Sequence, residues 1–243
     1  MVIEIAGVPV RITGVDPQYE GFFDDYLSDR PPDFELCPTQ ADMDRVKEDL
    51  DQMFIARGSR PPTWYNEGFL QNNAIHALLA ERLIDYGVLL MHGSALCMDG
   101  QAYIFTAKSG VGKSTHARLW REAFGDRVWM INDDKPMLRV GDHSVLVYGT
   151  PWNGKHRLGR NACAPLKAVI GLSRAEDNSI RPASSIEGFQ LLVKYAYSPR
   201  DPAAMKKVLA LEQQIVRLAE FYTLQCNLEP GAALTAWQGM NAG

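Results

Sequence analysis

The chain is short of the features that mark several specialised classes. Its four cysteines, Cys37, Cys97, Cys163 and Cys226, are scattered and show no CxxC spacing. That excludes a disulfide framework and a cysteine-held zinc site, and makes a reducing cytoplasm the expected setting. Positive charge is not in excess: 25 Lys plus Arg stand against 29 Asp plus Glu, for a net charge of −4. There is no sequence-wide basic field to hold a nucleic-acid backbone, so no nucleic-acid partner is expected. No apolar run approaches the ~20 residues needed to span a bilayer. The opening stretch MVIEIAGVPVRI has Glu4 inside its apolar run and no cationic leader, so it does not read as a secretory signal. Repeats and low-complexity tracts are also lacking. What remains is globular: 243 residues, 46% hydrophobic and 22% charged, sized for one large domain or a core with an appendage.

Val2 to Ile12 alternates around Gly7 and predicts a β-hairpin. The segments 29–33 and 57–62, rich in Pro and Gly, punctuate the chain. Between them, Ala41 to Ile55 predicts a charged helix with Met43, Val46, Leu50 and Phe54 on one face. Residues 1–63 are expected to form a cap, and 64–243 the main domain. Trp64 to Tyr86 has helical spacing, ended by Gly87. Strands are expected at 88–91, 94–98 and 101–106, the last two joined by Asp99-Gly100, a strong signal for a tight hairpin. A helix from Lys113 to Phe124 and a strand from Arg127 to Ile131 follow. A strand pair across 136–148, a strand at 167–172, helices at 184–196 and 202–219, and a strand at 221–226 complete the reading. The fold class is α/β, a mixed sheet flanked by helices.

Ala107 to Ser114, AKSGVGKS, is the most informative segment, because it lies between a predicted strand and a predicted helix. Gly110 and Gly112 permit a tight turn and close backbone approach. The amides of Ser109, Gly110, Val111, Gly112, Lys113, Ser114 and Thr115 are then placed to converge on phosphate oxygens at a helix N-terminus. Lys113 is suited to the β and γ phosphates, and the Ser114 hydroxyl to magnesium. Ala107 replaces the usual first glycine, which is tolerable where its φ is negative. A purine nucleoside triphosphate with Mg²⁺ is the expected ligand, ATP or GTP by this pattern alone.

Asp133-Asp134 closes the apolar strand, which puts two carboxylates at the carboxyl edge of a core strand. One can serve a metal and the other accept a proton from an attacking hydroxyl. Taken alone, the pair reads equally well as an acidic turn before Pro136. His92 follows Val88 to Met91; such a histidine is more often structural than catalytic. His76, His116, His143 and His156 fall on a helical stripe, the loop helix, a hairpin turn and a basic loop.

Together, Met91-His-Gly-Ser-Ala95, Ser109 to Ser114 and Asn132-Asp-Asp-Lys-Pro136 resemble the catalytic domain of HPr kinase/phosphorylase and its relative, ATP-dependent phosphoenolpyruvate carboxykinase. The wider pattern, with Gly149 to Gly154 and Pro165 to Ala168, resembles small bacterial HPr-kinase-like proteins of uncertain substrate, and the resemblance spans roughly residues 65–230. It implies a PEP-carboxykinase-like P-loop fold, with ATP and Mg²⁺ as cofactors. Lys113 and Ser114 would bind phosphate and metal, and His92 would lie beside the γ-phosphate. Asp133 would be the catalytic base and Asp134 the metal-side carboxylate, although the resemblance does not fix which acid takes which role. Thr115 stands where those kinases carry an acidic residue, and their downstream glycine-rich arginine segment is missing. Whether reverse phosphorolysis occurs is thereby left open, and the length of the chain argues against decarboxylation.

Trp152 to Arg157, followed by Arg160, is a basic loop. Lys155, Arg157 and Arg160 are candidate substrate residues, with a solvated turn as the plainer reading. The leading expectation is a kinase acting on a hydroxyl of a protein, peptide or small metabolite. An ATP-binding sensor or scaffold and a motor-type ATPase are the alternatives. The acceptor and the oligomeric state are left open.

Overall fold

The N-terminal alternation forms a hairpin: β1 (Val2–Ile5) pairs antiparallel with β2 (Val8–Ile12). Ile3, Ile5, Val8, Val10 and Ile12 are buried, as the two-residue period requires. A 3₁₀ segment over Pro17–Tyr26 follows, then β3 (Phe34–Leu36), parallel to β2. Helix α1 (Gln40–Ala56) starts at a reciprocal cap between Thr39 and Asp42. Met43 is buried on its inner face, with Val46, Leu50 and Phe54 half-buried beside it. Helix α2 (Glu67–Arg82), capped by Asn66, packs on α1. In this computed structural model, which describes residues 1–241, the chain divides into two compact units after Leu83. The expected division at 63/64 is thereby moved: α2 belongs with the first unit, because its apolar stripe packs on α1 and the 3₁₀ segment.

The second unit is a mixed α/β fold built on a nine-stranded sheet. Its strands are β4 (Val88–Leu90), β5 (Ser94–Met98), β6 (Gln101–Thr106), β7 (Val128–Asn132), β8 (Met137–Val140), β9 (Val145–Tyr148), β10 (Cys163–Arg174), β11 (Ser179–Pro182) and β12 (Glu220–Cys226). The helices are α3 (Lys113–Phe124), α4 (Ser185–Tyr195), α5 (Pro202–Leu218) and α6 (Gly231–Met240). β5 and β6 form the expected hairpin, with Asp99 at φ 51° and Gly100 at φ 79°. β10 begins at Cys163, four residues earlier than expected, because its first residues pair with β9 before the strand continues between β6 and β12. β3, β11 and α6 lie outside the sequence-based expectation.

Strand direction positions the site. β10 is parallel to both β6 and β12, while β5 is antiparallel to both β6 and β7. The carboxyl ends of β6, β7, β10 and β12 therefore share one edge of the sheet, together with the start of β5. One face of this sheet buries Phe105 and Leu224 under α3, which contributes Trp120, and α6; the other buries Met91, Ile104 and Val169 under α4 and α5. Trp120 is fully buried against Tyr103 and Phe105. Its truncation to Ala would cost about 3–5 kcal/mol. This packing fixes the helix that carries Lys113 and Ser114.

Candidate functional site

At the shared edge lies a cavity of about 500 Å³. It is lined by residues from each of the converging strand ends: His92 before β5, Ser109, Gly110 and Gly112 to Thr115 after β6, Asp133 and Asp134 after β7, Arg174 at the end of β10, and Leu228 after β12. Gly154, Lys155 and His156 complete the wall. Residues separated by up to 136 positions in the chain thus share one space because the strands run as they do.

The loop between β6 and α3 has the torsions that its glycines allow: Gly110 at φ 80° and Gly112 at φ 123°. Ala107 is not among the positive-φ residues, so alanine fits its position, and its side chain is buried in the core. Its carbonyl accepts Nζ of Lys113 at 3.2 Å. Helices α1, α2, α4 and α5 each begin with a side-chain cap, whereas α3 begins at Gly112 without one. The first amides of α3 thus face the cavity side with no capping side chain, and an anion is their natural complement. The side chain of Val111 packs against the core and does not line the cavity. Any role it has in the cradle is through its backbone.

Asn132 shapes the acidic pair. It is fully buried, and its Oδ1 accepts the amides of Asp134 (2.8 Å) and Lys135 (2.6 Å). Its Nδ2 donates to the Thr150 hydroxyl (3.0 Å), which in turn donates to the Lys135 carbonyl (2.9 Å). The turn is locked from inside. Asp133, almost wholly buried, accepts the Ser94 hydroxyl at Oδ1, 2.6 Å away. Asp134 is half-exposed, and its Oδ1 lies 3.2 Å from Nδ1 of His92. The His92 backbone is pinned: its N–H donates to the Tyr195 carbonyl and its C=O accepts the Thr106 hydroxyl. A Cβ on the next residue, Gly93, would fall 2.8 Å from Ile104 and 3.0 Å from the Phe105 carbonyl. Only glycine lets this segment pass so close to β6.

Lys113, Lys155 and Arg174 set three cations against the carboxylates of Asp133 and Asp134, with the imidazoles of His92 and His156 also on the wall. The balance suits a polyanion that brings a cation with it. Among the described residues no group of three or more His, Cys, Asp or Glu could cage a metal. The Ser114 hydroxyl and the Asp134 carboxylate are hard oxygen donors among the residues that line the cavity. Completed by phosphate oxygens and water, such a pair fits the usual manner of holding Mg²⁺.

Of the three basic-loop candidates, the structure brings only Lys155 to the cavity. Arg160 lies over the Trp129 ring, 5.5 Å from its centroid, and its backbone N–H donates to Ile131. Arg157, in a left-handed turn at φ 47°, is not part of the cavity wall. His116, although on the loop helix, is buried behind the site. Burial pushes its imidazole down to about 4, and its Nε2 accepts the Trp120 indole N–H at 3.1 Å.

Sequence reading missed Ser94, Asn132, Arg174 and Leu228. Ser94 and Asn132 belong to quoted motifs but carry no signal of their own roles. Arg174 is recognisable only from the parallel register that sets Gly171 beside Thr106.

No protein-family profile matches the chain, and no curated protein is similar to it in sequence. Among solved structures, the HPr(Ser) kinase/phosphatase from Coxiella burnetii is similar in fold. The TM-score is 0.38 with 10% identity, over 63% of this chain and 95% of that one. This is a distant likeness of chain trace, and no residue role is drawn from it.

Proposed function

We propose that the chain is an ATP-dependent kinase that transfers a γ-phosphoryl group to a hydroxyl, on a protein or peptide serine or a small hydroxylated metabolite, as HPr kinases do. One observation supports this above all others: a single cavity is walled by the glycine-rich loop with Lys113 and Ser114, by His92, and by both Asp133 and Asp134. In this reading the loop amides and Lys113 hold the β and γ phosphates, and Ser114 and Asp134 would hold Mg²⁺. Mg²⁺, when bound, neutralises charge on the β and γ oxygens. The acceptor hydroxyl forms the new P–O bond as the bond from the γ-phosphorus to the β–γ bridging oxygen breaks, and ADP leaves. Asp133 takes the hydroxyl proton on its second oxygen, while the Ser94 bond holds the first. His92 stands beside the transferring group, where a protonated imidazole would favour its spreading negative charge. Catalysis is then positioning and electrostatics, with no covalent enzyme intermediate.

The test is incubation with γ-labelled ATP and Mg²⁺, alone and with fractionated host lysate, comparing the wild type with Asp133→Asn. Label should move to an acceptor, with loss of roughly 10²-fold or more in the variant. Tight ATP binding with neither transfer nor hydrolysis in any fraction would instead assign a nucleotide sensor. Hydrolysis without an acceptor would assign an ATPase.

A further inference from the structure

The geometry points to Arg174 as a positioning residue that presets the phosphate loop; this inference rests on the kinase reading above. Arg174 is the last residue of β10, and the register Gly171 to Thr106 carries it alongside the loop that leaves β6. Its Nη2 donates to the carbonyl of Gly110 at 2.6 Å and its Nε to that of Val111 at 3.1 Å. These two carbonyls belong to consecutive peptides, whose N–H groups are those of Val111 and Gly112. In a trans peptide the N–H points opposite to the C=O. By gripping both carbonyls the guanidinium sets the roll of both peptide planes and turns the two amides away from itself. The Val111 N–H closes a turn onto the Lys108 carbonyl, and the Gly112 N–H starts α3 at the cavity.

A loop with Gly110 and Gly112 at positive φ is intrinsically free to adopt other torsions. Without an outside hold, binding a phosphate would have to order it. A rigid planar fork that meets two acceptors at fixed spacing suits the task, and a lysine ammonium meets it less well. The guanidinium is exposed at the cavity rim, and among the described residues its hydrogen bonds go to the loop, so it acts on the loop more than on the core.

Calorimetric titration of the full chain with MgATP and with MgADP tests this, using wild type, Arg174→Ala, Arg174→Gln and Arg174→Lys. Arg174→Ala should weaken both nucleotides by a similar factor, about tenfold or more, since both carry the β-phosphate that the loop cradles. Gln and Lys each keep an N–H donor and should recover part of the loss. The melting temperature without nucleotide should move by no more than about 3 °C. Equal affinities for wild type and Arg174→Ala would overturn the inference. So would a loss confined to ATP, which marks direct contact with the γ-phosphate, or a Gln variant as weak as Ala beside a restored Lys variant, which marks a role of charge alone. Wild type binding neither nucleotide would end the parent reading as well, so the two failures are distinct.

Discussion

The Ser94 hydroxyl and the Asp133 carboxylate meet at 2.6 Å, one from the start of an antiparallel strand and the other from the end of β7. Ser94 is fully buried and cannot serve as acceptor itself, but its bond fixes the rotation of the acid. Ser94→Ala should therefore lower the turnover of phosphoryl transfer by about tenfold, with the KM for ATP nearly unchanged. Steady-state kinetics on the variant check this. A raised KM with unchanged turnover would place the pair on the nucleotide side instead.

Lys113 is expected to act on phosphate alone. Lys113→Ala should weaken ATP by at least about tenfold, given the strength of charge-assisted bonds, and leave adenosine binding unchanged. Equal losses for the two ligands in a titration would mean a disturbed fold.

The elements legible in sequence are those with local causes. Asp99-Gly100 demanded a hairpin because both residues accept positive φ, and both have it. AKSGVGKS announced its strand, loop and helix. The missed elements owe their form to distant partners. β3 has three residues and exists because Val10 to Ile12 pair with it. The early part of β10 contains Pro165, which lacks an N–H and weakens a strand reading, yet the segment pairs with β9. α6, with Gly231 and Gly239 inside it, has poor intrinsic propensity and is held by burial of Ala232, Ala233 and Ala236. For the site, the motifs named His92, Lys113 and the acids. The convergence of strand ends that adds Arg174 and Leu228 is a property of topology, and basic composition alone could not tell Lys155, which lines the cavity, from Arg157 and Arg160, which do not.

His116 gives stability a defined acid limb. Burial lowers its pKa from 6.5 to about 4, so the unfolded chain binds more protons than the folded one between those values. Its contribution is complete above about pH 6.5 and is lost as pH falls toward 4. His116→Gln retains an acceptor for Trp120 and should flatten this slope in denaturant titrations at pH 4.5 and 7.

Glu212 acts in the opposite direction. It is buried on α5, its Oε2 has no hydrogen-bond partner among the described residues, and burial raises its carboxyl from 4.5 to about 7. The folded state then binds more protons, so stability falls as pH rises from 4.5 through 7. Glu212→Gln should stabilise the protein by at least about 1 kcal/mol at pH 8, with a smaller gain at pH 5. Denaturation at the two pH values decides it; an equal gain at both would show that ionisation is not the cause.

The most direct measurement is an experimental structure with Mg²⁺ and a non-hydrolysable ATP analogue. The β and γ phosphates should lie on the amides of Gly110 to Ser114, with the terminal phosphate directed at His92, Asp133 and Asp134. A nucleotide bound elsewhere, or one whose terminal phosphate is turned away from the two acids, would contradict phosphoryl transfer at this cavity.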